Sequence, residues 1–88
     1  MIVEFNENFD KDLVKIEKKL LKRLFIKISL FEKCKNINEI SGIKKLKWFD
    51  TFYRIRIWDY RIWFSMSAWK IVLERFLHRK DIYRYYPK

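Results

Sequence analysis

Tyr53-Arg54-Ile55-Arg56-Ile57-Trp58-Asp59-Tyr60-Arg61-Ile62 alternates cations with apolar residues at the period of a β-strand. Successive side chains of a strand point to opposite faces, so Tyr53, Ile55 and Ile57 share one side. Arg54 and Arg56 then stand together on the other, roughly 6–7 Å apart by the rise per residue. An apolar core has no use for two unpaired guanidiniums side by side. A surface that receives phosphates does, because arginine offers a planar fork of donors and stays charged at cellular pH. Near the C-terminus, His78-Arg79-Lys80-Asp81-Ile82-Tyr83 forms a second basic and aromatic stretch.

Working outward, β-branched and aromatic content predicts three strands, roughly Leu46 to Ile57, Tyr60 to Ser65 and Lys70 to Leu77. Trp58-Asp59 and the segment from Met66 to Trp69 read as the turns between them. Upstream, Ile2 to Phe5 is a short opening strand, and Asn6 or Asn8 is placed to cap the helix that follows. Phe9, Leu13, Ile16, Leu20 and Leu24 recur at helical spacing, and Leu21, Phe25, Ile28, Phe31 and Cys34 extend a second apolar stripe. One helix over residues 8 to 35 would approach ~40 Å, too long for so small a domain. Two helices with a break near Glu17 to Leu20 are expected instead. Asn36 to Gly42 reads as a connection, and the tail from Asp81 to Lys88 as one helical turn. The order is β-α-α-β-β-β, a two-layer α+β domain with a helical hairpin packed on a mainly antiparallel sheet.

The chain has 88 residues, room for one domain (1–88) with one core. Half of its residues are hydrophobic, which favours folding over disorder. A net charge of +10 points to a polyanionic partner, and a 19% aromatic content suits stacking on single-stranded bases. Most of the Phe residues are read as core filling. Cys34 is the only cysteine, so an internal disulfide is excluded and the reducing cytoplasm is the expected compartment. No run approaches a membrane span, and the polar start is too early for a secretory signal. One His and one Cys cannot build a zinc site, and one glycine cannot build a phosphate loop, so no cofactor is expected.

With Ile43-Lys44-Lys45-Leu46-Lys47, YRIR, DYRI and HRKDIY in that order, the chain resembles the RelE/ParE superfamily of small toxins from type II toxin–antitoxin modules. The likeness spans nearly the whole chain and is strongest to the RelE branch. It implies a metal-independent endoribonuclease that cuts mRNA, typically on the ribosome, and is held inactive by a cognate antitoxin. Matched motif by motif, phosphate-contacting and catalytic roles fall on Arg54, Arg56, Arg61 and Arg79, and the aromatic role on Tyr83. His78, whose free pKa suits proton transfer, is a further catalytic candidate unless strand alternation turns it away from Arg79. Lys45, Lys47 and Lys80 are candidate RNA-contacting cations. Two departures stand out: Trp58 occupies a position often held by glycine, and arginines replace the lysines usual at Arg54 and Arg56. An arginine is a poor base at neutral pH, so the base is unassigned.

The implied reaction needs no protein nucleophile, because the RNA's own 2′-hydroxyl attacks the adjacent phosphorus and expels the 5′-oxygen. The protein supplies alignment, cations around the five-coordinate phosphorus and routes for two protons. Two alternatives remain open: a ParE-like inhibitor that acts on DNA gyrase through protein contacts, and an inactive basic RNA-binding module.

Overall fold

The computed structural model describes residues 1–46, 51–67 and 69–81. Its elements are β1 (Ile2–Phe5), α1 (Glu7–Asp12), α2 (Lys18–Lys33), a 3-10 turn (Ile37–Glu39), β2 (Lys44–Lys45), β3 (Phe52–Ile57), β4 (Tyr60–Met66) and β5 (Lys70–His78). They form one five-stranded sheet in the order β1-β5-β4-β3-β2. β1 runs parallel to β5, and every other pairing is antiparallel. The two-layer α+β arrangement is the expected one. Of the strand expected over Leu46 to Ile57, Phe52–Ile57 forms β3 and carries the alternating run, and the short strand β2 at Lys44–Lys45 precedes the expected span.

Asn6 makes the transition from β1 to α1. Its Oδ1 accepts from the Asn8 N–H at 2.8 Å, which satisfies one of the orphan donors at the helix start. α1 ends at Asp12, and α2 begins at Lys18, so the break falls ahead of the expected Glu17 to Leu20. The cause is a long-range anchor. The Asp12 carboxylate accepts from Arg75 Nε at 2.8 Å, Arg75 Nη2 at 2.9 Å and the Phe76 N–H at 2.8 Å. Phe76 lies just past the part of β5 that pairs with β1, so its N–H would otherwise lack a strand partner.

Phe9, Leu20, Leu24, Ile28 and Phe31 project from the helices onto Ile55, Ile57, Ile62, Phe64, Ile71, Leu73 and Phe76 of the sheet. Burying each such side chain contributes about 1.5–3 kcal/mol before entropy is counted. The helical stripe runs through Leu20 and Leu24 to Ile28 and Phe31. Phe25, expected inside, is 54% exposed.

β5 contains a bulge. Trp63 pairs with Arg75 but Phe64 pairs with Leu73, which leaves Glu74 as the extra residue. The Glu74 carboxylate is held by Asn6 Nδ2 at 2.9 Å and by the Ser65 hydroxyl at 2.8 Å. Leu73 faces the core, so strict alternation would carry residues 75, 77 and 79 inward. The bulge reverses that phase: Phe76 and His78 share the helix side, and Leu77 and Arg79 take the outer one.

Candidate functional site

The outer face of the sheet is where the cations collect. Register places Lys44 of β2 opposite Arg54 of β3, Arg54 opposite Trp63 of β4, and Arg56 opposite Arg61. Arg61 in turn pairs with Leu77 of β5. Trp63 and Leu77 are buried and form an apolar floor with Leu46 packed against it. The arginines stand around that floor.

Arg79 joins them through the β3–β4 turn. Its backbone N–H donates to the Asp59 carbonyl at 2.7 Å, which ties the end of β5 to the hairpin tip. Its side chain lies 4.0 Å from the Asp59 carboxylate, with both groups more than half exposed, so the pair is weak and screened. Burial lowers the pKa of Arg61 below the usual arginine range, and the charges of Arg56, Arg54 and Arg79 lower it further, against a smaller opposing effect of Asp59. Each of those guanidiniums is close enough to be felt at Arg61, so folding brings together four groups that are separated along the chain.

The turn itself is built unusually. Ile57 pairs with Tyr60, leaving Trp58-Asp59 as a two-residue loop. Trp58 has φ +54°, a left-handed conformation that costs a bulky L-residue about 1–2 kcal/mol and that glycine adopts freely. Two contacts hold it there. Arg56 Nε donates to the Trp58 carbonyl at 2.8 Å, and the Arg23 guanidinium of α2 sits 4.5 Å from the centre of its indole.

His78 is separated from the arginines. It lies opposite Tyr60 on the helix side, with the two rings edge to face at 5.2 Å, and its Nδ1 accepts from the Lys80 N–H at 3.1 Å. The bulge at Glu74 sets that phase, and of the two placements left open for His78 the structure has the one turned away from Arg79. Lys45 pairs with Tyr53, whose ring stacks on Phe64 on the core side, so a single step of register places it on the face away from the arginines. Its neighbour Lys44 is the lysine on the arginine face, and no spacing signal upstream of the pairing distinguishes the two. Lys80 is exposed just beyond Arg79. Lys47 and Tyr83 lie outside the described residues.

The comparisons agree with this architecture. The family model described as "ParE toxin of type II toxin-antitoxin system, parDE" matches residues 3–83. A protein named Toxin RelE3 from Methanocaldococcus jannaschii is 37% identical over 91 aligned residues, covering 99% of this chain and all of that one. Among solved structures, the RelB–RelE antitoxin–toxin complex from Methanococcus jannaschii superposes with TM-score 0.84 at 34% identity, covering 96% of this chain and 99% of that one. The archaeal RelE–RelB complex from Pyrococcus horikoshii gives 0.73 at 22% identity, covering 89% and 93% of the two chains, a likeness of fold. The chain belongs to the RelE/ParE superfamily of type II toxin–antitoxin toxins, and it is RelE-like.

Proposed function

We propose that this toxin is an endoribonuclease that cuts mRNA, with the ribosome as its working site and a cognate antitoxin as its restraint. The observation that carries this reading is the outer sheet face, where Arg56 stands opposite Arg61, with Arg54 and Arg79 near enough for their charges to act on Arg61. A phosphodiester gains negative charge as its 2′-hydroxyl attacks, and fixed cations stabilise that charge more than they stabilise the ground state. The nucleophile belongs to the substrate, so the protein's work is alignment and charge. Arg61, already crowded by like charges and partly desolvated, gains most when an anion arrives. Arg54 and Arg79 flank it, and Lys44 extends the face toward β2. Tyr83 is assigned the stacking or proton-donating role that its motif implies.

The test is primer-extension mapping of cellular mRNA after induction, comparing the wild type with Arg79→Ala. The expected result is new 5′ ends with the wild type only, and 2′,3′-cyclic phosphates on the upstream fragments. Intact mRNA alongside a full growth arrest would overturn the reading. The ParE name of the matching family model supports a second reading, inhibition of DNA gyrase through protein contacts. That activity has no need of converging arginines, and it would show as DNA damage with translation continuing.

A further inference from the structure

A cleft opens between α2 and the tip of the β3–β4 hairpin, lined by Arg23, Ile26, Lys27, Arg56, Ile57 and Trp58. Its volume is about 260 Å³, enough for one flat ring and just under the ~300 Å³ at which drug-sized pockets begin. Three of its six lining residues are cations, and none is an acid. Arg23 and Lys27 stand one helical turn apart on the same face of α2. Trp58 remains 45% exposed although it could have been covered or replaced by glycine at no conformational cost. A strained, half-exposed aromatic among cations that have no carboxylate partner among the described residues is the kind of outlier from which function is reasonably inferred.

We propose that this cleft is a second nucleotide subsite for single-stranded RNA. One base stacks on the Trp58 indole, and the flanking phosphates are met by Arg56, Arg23 and Lys27. The proposal rests on the RNA-cutting reading and extends it. Arg56 is the link, because it belongs both to the outer arginine face and to this cleft. A strand bound at Arg54 and Arg61 therefore continues over the hairpin tip. There Arg23 already stacks on the indole, and a base adds to that arrangement through its own π-face. An acidic peptide would answer the charges but leave the ring without a flat partner, so RNA is the better fit.

The experiment measures binding of a labelled 2′-O-methyl oligoribonucleotide, about six nucleotides long, by fluorescence anisotropy. Such RNA lacks the free nucleophile, so binding is read independently of cutting. The proteins are the wild type, Trp58→Gly, Trp58→Phe and Lys27→Ala. Glycine suits the +54° backbone, so Trp58→Gly removes the ring without adding strain. It is expected to weaken binding at least about fivefold, with Trp58→Phe retaining most of the affinity. Lys27→Ala is expected to reduce the salt slope by about 0.7, one phosphate contact on a single strand. Unchanged affinity in Trp58→Gly, or no binding by the wild type, overturns the subsite. A loss confined to antitoxin binding overturns it as well and makes the cleft a protein-docking surface. Cleavage of unmodified RNA by the same preparations separates the two readings. Trp58-dependent binding without any cutting removes the nuclease and keeps the subsite, whereas cutting with a neutral Trp58→Gly removes the subsite alone.

Discussion

Arg56 and Arg61 are direct cross-strand partners on the outer face of the sheet. Like charges placed opposite each other destabilise a strand pair, so the fold carries a cost that an anion would relieve. The pKa of Arg61 lies below the usual arginine range, lowered first by burial and then by the charges of Arg56, Arg54 and Arg79. The sign follows from linkage: the folded state holds this proton less tightly than the unfolded chain, so the contribution opposes folding while both states are charged. It is constant through neutral pH and fades only as pH rises into the alkaline range. Arg61→Gln is therefore expected to stabilise the isolated toxin by up to about 1 kcal/mol, after allowance for solvent screening, while abolishing cleavage. Thermal unfolding with and without salt checks this: the variant should melt higher than the wild type, and the gap should shrink as salt screens the repulsion. A lower melting point for Arg61→Gln at low salt would show that attraction elsewhere, rather than repulsion, governs this group.

The Asp12–Arg75 pair behaves differently, since its side chains are only 11% and 16% exposed and one carboxylate oxygen also serves the Phe76 N–H. Asp12→Asn removes the charge and one acceptor, so Arg75 loses its carboxylate partner and the Phe76 N–H is left to compete for the one remaining oxygen. The expected loss is about 2–4 kcal/mol of stability. For a domain of this size that lowers the melting temperature by at least about 8 °C. Ligand-free calorimetry is the measurement, and a shift under about 2 °C would mean that water replaces the carboxylate without penalty.

These two cases show what can be read from the chain and what cannot. The YRIR and DYRI runs declare their own faces, because alternation is local and one residue sets the phase for its neighbours. The convergence of Arg54, Arg56 and Arg61 follows from that phase and a two-residue loop. Arg79 and His78 are another matter. Their faces depend on the bulge at Glu74, whose partners are Asn6 and Ser65, 68 and 9 positions away. The spacing of Leu73 and Phe76 is the one local trace of it: three residues apart, yet both buried. Likewise the end of α1 is set by a carboxylate pairing 63 positions downstream, which helical periodicity does not register. Lys44 and Lys45 are indistinguishable until β2 pairs with β3.

Gly42 precedes β2 with φ +86°, and it is the only residue besides Trp58 with a positive φ among the described residues. An added Cβ would meet only Ile55 Cγ1 at 4.0 Å, which is ordinary contact. The cost of Gly42→Ala is therefore backbone strain, about 1–2 kcal/mol, with Gly42→Asn milder because asparagine tolerates the left-handed region. Denaturant midpoints for the two variants should fall in that order. Equal losses would point to a side-chain clash and contradict the open surroundings.

Lys44, Lys45 and His78 give the sharpest test of which sheet face does the chemistry. Lys44 stands beside Arg54 on the outer side, whereas Lys45 and His78 accompany Tyr53 and Tyr60 on the other. All three are basic and near the C-terminal motifs or the strand that pairs with YRIR, so charge alone predicts similar effects for Lys44→Ala and Lys45→Ala. Face predicts a split. Lys44→Ala should lower kcat/KM for RNA cleavage by about fivefold, the loss expected of one exposed phosphate contact, and flatten the salt dependence. Lys45→Ala should change neither by more than about twofold, since its charge reaches the substrate only through screened distance. His78→Gln should leave the rate and its pH profile between pH 6 and 8 nearly intact, because the imidazole sits against Tyr60 and the Lys80 N–H rather than on the arginine face. A pH profile that loses its acidic limb in His78→Gln would place a proton transfer on the helix side of the sheet, and the outer face would then bind RNA without cutting it.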